Sequence, residues 1–307
     1  MIFYAFKRLL STIPVLWFAL TLCFIVLRLA PGGPLDQERS MSAATRANLE
    51  AHYNLDKPLV QQYLLYLKGV VQGDLGPSFV TDDFTVTELL LNGLPYTFVL
   101  GMSALVLSFA LGVTAGIISA LWQNRWPDYL LVFVVMIGLV FPNFLIAPIL
   151  QLVFGLQLKW LPVGGWGDGN LANLVLPVLV MSLPHIARIS KLMRGSLLDV
   201  LGSNFIRTAK AKGIGARLVM QRHAIRPALL PVVSYLGPAT SYLLTGSLVV
   251  ESIFGLPGIG RYFVEGALSR DYGMVLGTVI FYMVLIIILN LIVDLIYAFL
   301  DPKVRYQ

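Results

Sequence analysis

Charge is scarce in this chain. Asp, Glu, Lys and Arg together make up 12% of its 307 residues, where a soluble domain carries about 25%. That deficit argues against an ordinary soluble fold. Cysteine occurs once, as Cys23, so a disulfide framework within the chain is excluded. Lying inside an apolar run, Cys23 reads as a small packing residue. The histidines, His52, His185 and His223, are scattered, and with no close His/Cys/carboxylate cluster no protein-built metal site is expected. A Gly-Lys pair occurs nowhere. The Gly-x-x-x-x-Gly-Lys-[Ser/Thr] phosphate cradle is therefore missing, and the chain is not expected to hydrolyse ATP itself. Neither a Ser–His–Asp set nor an internal repeat nor a low-complexity segment is visible.

Apolar residues are abundant instead. The chain is 57% hydrophobic, with a mean hydropathy of +0.80. A transmembrane helix needs about 20 mostly apolar residues. Six stretches qualify, roughly 9–30, 96–122, 129–156, 173–190, 228–250 and 274–300. The fourth holds Pro177 and Pro184 and reads as a kinked helix, since neighbours can satisfy a carbonyl freed by proline. Lys7 and Arg8 before the first run would suit a signal peptide. Its apolar core is longer than a signal core, however, and no Ala-x-Ala-like site precedes Pro31, so a retained helix is expected.

Basic residues set the orientation. With the N-terminus inside, the inner segments hold Lys7, Arg8, Arg125, nine Lys/Arg between Arg188 and Arg226, Lys303 and Arg305, which is 14 of the 22. Segment 31–95 has four Lys/Arg against eight Asp/Glu and suits the outside. Six crossings with both termini cytoplasmic follow. Trp122, Trp126, Trp160, Trp166, Tyr297 and Tyr306 lie near proposed membrane ends, where amphipathic rings settle. The formal charge of +6 then reflects orientation and contact with anionic lipid, not nucleic acid.

Segment 31–95 is too long for a simple connection. Ser42 can cap a helix through Tyr53, Asn54–Lys57 reads as a turn, and Pro58 suits the first turn of a helix reaching about Val71. Leu59, Tyr63, Tyr66, Leu67 and Val70 recur at helical spacing, and Gly73–Pro77 breaks the run. A helical cap on the membrane surface and a docking surface for an external partner both fit.

The most informative stretch is 204–231. Between Arg188 and Arg226 the nine cations face one acid, Asp199. Ser203 is a good helix cap. Phe205, Ala209 and Lys212 can share a helix face, Gly213 and Gly215 end that helix, and a second short helix, about Ala216–Ala224, can follow. A short glycine-capped helix with a basic rim suits insertion into a groove on a soluble partner.

Thr208-Ala209 with Gly213 is similar to the Glu-Ala-Ala…Gly signature of the inner-membrane permeases of ABC importers. Arg207 stands where the general signature has Glu, Thr208 replaces its first Ala, and His223-Ala224-Ile225-Arg226 stands where an Ile-x-Leu-Pro tail is usual. Asn204–Gly213 and Arg222–Pro231 instead resemble the variant of the peptide/nickel branch. Arg28–Gly32, Gly73-Asp74-Leu75-Gly76-Pro77-Ser78-Phe79, Glu251–Gly260, Asp271-Tyr272, Asp294–Tyr297 and Asp301–Tyr306 extend the likeness almost end to end. It is strongest to the B-type permease of oligopeptide importers. A dipeptide, glutathione or nickel permease is the nearest alternative. A secondary transporter is a further one, although intramembrane coupling groups and an inverted repeat are wanting.

The resemblance implies the rest. The fold would be the type I ABC importer permease, all-α, with six transmembrane helices in the bacterial inner membrane. Residues 1–30 would be the N-terminal segment and first helix, 31–95 a periplasmic insertion, and 96–307 the core, with a coupling loop at about 191–227. Partners would be a second homologous permease, two cytoplasmic ATPase subunits carrying ATP and Mg, and a periplasmic peptide-binding protein. Asn204, Phe205, Ile206, Arg207, Thr208, Ala209, Lys210, Ala211, Lys212 and Gly213 would couple to an ATPase, supported by Arg222, His223, Arg226 and Pro231. Gly255, Pro257, Gly258 and Gly260 would form a periplasmic loop. Pro142, Pro184 and Asp294 are candidates for hinges or the path. Asp294 is costly in an apolar run, by about 2.5–3.5 kcal/mol, and also fits a structural hydrogen bond.

Overall fold

The computed structural model describes residues 2–29, 43–81, 83–245 and 248–300; side chains are described except in 2–9, 43–47 and 294–300. The helices are α1 Ile2–Leu29, α2 Ala43–His52, α3 Leu59–Val71, α4 Val86–Leu121, α5 Trp126–Val140, α6 Asn143–Leu150, α7 Leu171–Leu201, α8 Asn204–Ala211, α9 Ala216–Leu218, α10 Ile225–Ala228, α11 Leu230–Thr245, α12 Leu248–Phe254, α13 Ile259–Leu268 and α14 Tyr272–Leu300. A π-helical turn, Gln151–Gln157, extends α6, and another, Val219–Ala224, joins α9 to α10. Apart from an isolated bridge between Pro77 and Thr85, the described regular structure is helical.

Four stretches are single helices long and apolar enough to cross a membrane: Leu10–Leu29, Val86–Leu121, Leu171–Leu201 and Tyr272–Val293. Two more spans are bent pairs, Trp126–Val140 with Asn143–Gln157 at 107° and Ala216–Ala228 with Leu230–Thr245 at 43°. The described residues of all six expected runs are largely helical. The third is broken sharply at Phe141–Pro142, because proline lacks the N–H that would continue the ladder and restricts the residue before it. Pro177 and Pro184 lie inside α7 without ending it. Helix α7 also runs well beyond the apolar stretch 173–190, carrying its polar end past the span.

The chain forms two compact units, Met1–Thr97 with Leu256–Gln307, and Phe98–Gly255. In the first, α1 packs on α14 and α13 on α14. Helix α3 lies against α1 through aromatic contacts: Phe24 is 5.4 Å from the Tyr63 ring and 6.5 Å from the Tyr66 ring, and the Thr21 and Tyr63 hydroxyls are 2.7 Å apart. Leu59, counted above with that face, is instead exposed, because the first turn of α3 extends beyond the contact. Pro58 precedes α3 as its cap, one residue before the expected place.

The segment Gly73–Phe79 forms a clasp. The Gly76 N–H donates to Asp74 Oδ1 at 2.9 Å, and the Leu75 N–H to Thr87 Oγ1 at 3.0 Å. Ser78 Oγ donates to Asp271 Oδ2 at 2.5 Å, and Asp271 Oδ1 caps α14 by accepting the Met274 N–H at 2.9 Å. A Cβ on Gly273 would collide with the Pro77 carbonyl oxygen, so glycine is what lets the clasp close on α14. Two motifs nearly 200 residues apart are thereby one structure, held by a buried carboxylate.

In the second unit α7 is central, touching α5, α6, α10, α11 and α12. A Cβ on Gly116 would stand 2.6 Å from Met193 Cβ. The small residue admits close helix packing, which drives association where lipid is as apolar as the side chains. At the far end, the Gly165 N–H donates to the Phe254 carbonyl at 2.7 Å, and Gln151 Nε2 donates to the carbonyls of Val163 and Ile253 at 2.7 and 3.2 Å.

Candidate coupling site

The basic segment begins where α7 ends. Ser203 occupies the cap position of α8, but its hydroxyl donates to the Val200 carbonyl at 2.5 Å and accepts nothing from α8. It closes the preceding helix instead of capping the next. Within α8, Ile206 is fully buried and Ala209 is 5% exposed. Asn204, Phe205, Arg207, Thr208, Lys210 and Ala211 are exposed. The inward face is therefore Ile206/Ala209, one turn apart, and not the Phe205/Ala209/Lys212 face that spacing suggested. Both fits have helical periodicity; only burial selects between them. Phe205 is left half exposed.

The exit of α8 is a Schellman turn. The Gly213 N–H donates to the Lys210 carbonyl at 3.0 Å and the Ile214 N–H to the Ala209 carbonyl at 3.3 Å. Gly213 has φ +77°, a left-handed conformation glycine adopts without steric cost. Gly215 then caps the next helical stretch, its carbonyl accepting from the Leu218 and Val219 N–H groups, both at 3.0 Å. Arg222 and Arg226 are exposed along it, His223 is half-buried, and Pro231 lies exposed in the first turn of α11.

Beneath the segment lies an apolar cluster of Ala120, Ile189, Met193, Leu197, Ile206, Ala209, Val219, Ala224, Ala228 and Val232. It fastens α8 and the stretch after it to α7 and the end of α4. Beside it stands an ion pair. Arg194 Nε and one terminal nitrogen donate to the two oxygens of Asp128 at 2.9 and 2.7 Å. The Ser119 hydroxyl and the Asn124 N–H also donate to that carboxylate. The pair ties the end of α4, the turn after it and the start of α5 to α7. Sequence reading missed it. A lone acid after Trp126-Pro127, opening an apolar run on the same side as the cations, was the available signal. The cations of the loop itself, Arg207, Lys210, Lys212, Arg217, Arg222 and Arg226, have no carboxylate at ion-pair distance among the described residues. A rigid helix thus presents a basic rim and an aromatic ring to solvent.

The other expected site residues lie elsewhere. Pro142 is exposed at the break between α5 and α6. Pro184 is half-buried on α7, next to His185, whose Nδ1 is 2.8 Å from the Tyr235 hydroxyl. Arg188 stands 5.4 Å over the Tyr235 ring. The side chain of Asp294 lies outside the described ones, as do Ala30–Gly32 and Asp301–Tyr306. Gly255 is exposed with φ +62° and closes the second unit. Gly258 and Gly260 are buried in the first, at the start of α13, where the Ile259 N–H donates to Thr97 Oγ1 at 3.0 Å; Pro257 is half-buried beside them.

These features define a multi-pass α-helical membrane protein with an exposed basic helix between two of its spans. Residues 112–306 match the family described as "Binding-protein-dependent transport system inner membrane component", and the chain belongs to that family. It is 48% identical over 306 residues to the oligopeptide transport system permease protein OppB of Haemophilus influenzae, covering 100% of both chains. With the dipeptide transport system permease protein DppB of Bacillus subtilis the identity is 39% over 302 residues, 98% of this chain and 97% of that one. Among solved structures, an amino acid ABC transporter with histidines superposes with a TM-score of 0.56 at 15% identity, covering 68% of this chain and 93% of that chain. The methionine ABC transporter MetNI gives 0.54 at 14%, covering 67% and 92%. At these identities the two structures speak for the fold, an ABC importer permease.

Proposed function

We propose that this permease is the B-type subunit of an ATP-driven importer of oligopeptides. It forms half of the translocation path with a second, related permease and receives peptides from a periplasmic binding protein. Residues 1–30 are the entry segment and first helix, 31–95 the periplasmic insertion and 96–307 the core, with both termini in the cytoplasm. The observation that carries the substrate is the full-length identity of 48% to an oligopeptide permease, against 39% to a dipeptide permease and 37% to a glutathione permease.

Coupling runs through Asn204–Gly213. Helix α8 fits into a groove of a cytoplasmic ATPase subunit, with Phe205 as its apolar knob and Arg207, Lys210 and Lys212 as its charged rim. ATP and Mg are bound and turned over on the two ATPase subunits, not on this chain. Because Ile206 and Ala209 root α8 in the apolar cluster, a push on α8 is transmitted to α7 as a rigid-body movement. Arg222, His223, Arg226 and Pro231 support the loop from the following stretch. The path itself opens and closes around the break at Pro142 and around Pro184 within α7, with Asp294 as a further candidate position on it.

The test is uptake of labelled di-, tri- and pentapeptides, and of nickel, in cells lacking the gene and in complemented cells. Loss of tri- and pentapeptide uptake, restored by the gene, is the expected result. A loss confined to dipeptide or nickel would overturn the substrate, and no loss with all partner subunits present would overturn the importer of peptides altogether.

A further inference from the structure

The first unit holds a cavity of about 240 Å³ between α1, α3, the Gly73–Phe79 clasp and the start of α14. Its wall includes Phe24, Arg28, Gln62, Tyr66, Asp74 and Tyr272. The Arg28 guanidinium carbon is 5.5 Å from the Phe24 ring centroid and 5.8 Å from that of Tyr272. Ring contacts occupy the faces of a guanidinium and leave its in-plane N–H donors for hydrogen bonds. Among the described residues, no carboxylate lies at ion-pair distance from them.

Two more polar atoms are left over. The Tyr66 hydroxyl and Gln62 Oε1 are buried without a hydrogen-bond partner. Gln62 is only 8% exposed, and its amide nitrogen is already used, donating to the carbonyls of Leu55 and Lys57 at 3.1 and 2.7 Å. Burial raises the pKa of the Tyr66 hydroxyl above its ordinary value, so it stays protonated and able to donate. Folded proteins satisfy nearly all buried polar atoms, and this pair calls for an occupant. The occupant must accept from Arg28 and Tyr66 and donate to Gln62 Oε1, in a cavity whose wall also carries the Asp74 carboxylate. An anion and a hydrogen-bonding cation in one small group meet that demand.

Depth selects the source. Arg28 sits in the last turn of the span Leu10–Leu29, and Tyr272 opens the span Tyr272–Val293. Span ends lie at the headgroup level. Leu22, Ile25 and Val26 of α1 are exposed just below Arg28 and offer a track for acyl chains. The volume falls under the roughly 300–1,000 Å³ of pockets for larger small molecules, which suits a headgroup and not a peptide.

We propose that this cavity binds the headgroup of a zwitterionic phospholipid of the phosphoethanolamine type. Arg28 and Tyr66 hold the phosphodiester, and Asp74 with Gln62 Oε1 holds the ammonium. Phosphatidylcholine has no N–H to donate, and phosphatidylglycerol brings no positive charge to Asp74, so both are disfavoured.

The test uses the complete importer, purified in detergent with its partner subunits. Lipid mass spectrometry counts the phosphatidylethanolamine that survives delipidation. The protein is then titrated in phosphatidylcholine nanodiscs with phosphatidylethanolamine, with phosphatidylglycerol and with soluble glycerophosphoethanolamine. Stoichiometric phosphatidylethanolamine is expected on the native protein. Arg28→Gln should weaken it about tenfold, through loss of a charged hydrogen bond, and Tyr66→Phe about fivefold, through loss of a neutral one. Asp74→Asn should abolish the preference over phosphatidylglycerol. Equal retention by the native protein and the Arg28→Gln and Tyr66→Phe variants would overturn the site. Binding of glycerophosphoethanolamine with no lipid retained would assign the cavity to a free ligand and overturn the lipid. Size-exclusion elution monitors folding, and if Arg28→Gln fails to accumulate, Tyr66→Phe, which keeps the ring, decides the matter.

Discussion

The two polar excursions of this chain are anchored by opposite means. The basic segment after α7 is rooted by apolar side chains, with Ile206 and Ala209 sunk in a cluster shared with Ile189, Met193 and Leu197, while its cations are exposed at the surface. The acidic segment before α4 is rooted by polar bonds and backbone fit: Ser78 on Asp271, Asp74 on the Gly76 N–H, and Gly273 under the Pro77 carbonyl. A hydrophobic root holds one face of a helix and leaves the other exposed, at no cost in charge pairing. A hydrogen-bonded clasp spends most of its polar groups on itself and so fixes its own geometry closely.

The contrast can be broken at four places. The largest effect is expected at Arg194→Ala, which strands the buried Asp128 carboxylate beside the basic segment. Breaking one side of a buried pair costs about 3–5 kcal/mol, read as thermal unfolding in detergent; Arg194→Lys should recover part of it. Next is Ile206→Ala, expected to cost about 2–4 kcal/mol through lost burial and a cavity. Arg207→Glu with Lys212→Glu on the opposite face should change stability by less than about 0.5 kcal/mol but lose ATPase subunits in co-purification. If the two faces respond alike in both assays, the division of α8 into root and docking face is wrong.

Ser78→Ala comes third. Leaving the buried Asp271 oxygen without its donor should cost about 1–3 kcal/mol and raise protease sensitivity near Gly73–Phe79, with ATPase retention unchanged. The smallest effect among the anchoring residues belongs to Gly213→Ala. A Cβ there meets nothing within 4 Å, so only the left-handed conformation is penalised, by about 1 kcal/mol. Gly213→Pro is the functional counterpart. It removes the N–H that bonds Lys210 and cannot adopt φ +77°, so uptake should vanish while membrane insertion persists; normal uptake in that variant would dismiss the coupling role of the turn.

Much of this was legible beforehand because it depends on local chemistry. Six apolar runs became helical spans, Gly213 ended α8, and the helix reaching Val71 ended there. Errors arose where two helical faces were equally periodic. Phe205 and Ile206 are neighbours, and only the cluster beneath α8 decides which one is buried. Ser203 was misread because a hydroxyl can bond backward as readily as forward. The sharp break at Pro142 and the smooth passage through Pro177 and Pro184 are also indistinguishable in the sequence, since surrounding helices decide whether a freed carbonyl is tolerated.

The sequence by itself determined the membrane class, the apolar runs and the family, because hydropathy, charge placement and motif order are properties of the chain read in line. Only the tertiary structure decided which far-apart polar groups meet: Asp128 with Arg194, Ser78 with Asp271, and Arg28 between Phe24 and Tyr272. In an apolar surrounding a polar group must find a partner or leave an unsatisfied charge or hydrogen bond, and that partner is chosen by proximity in space, which the spacing of residues along the chain does not encode.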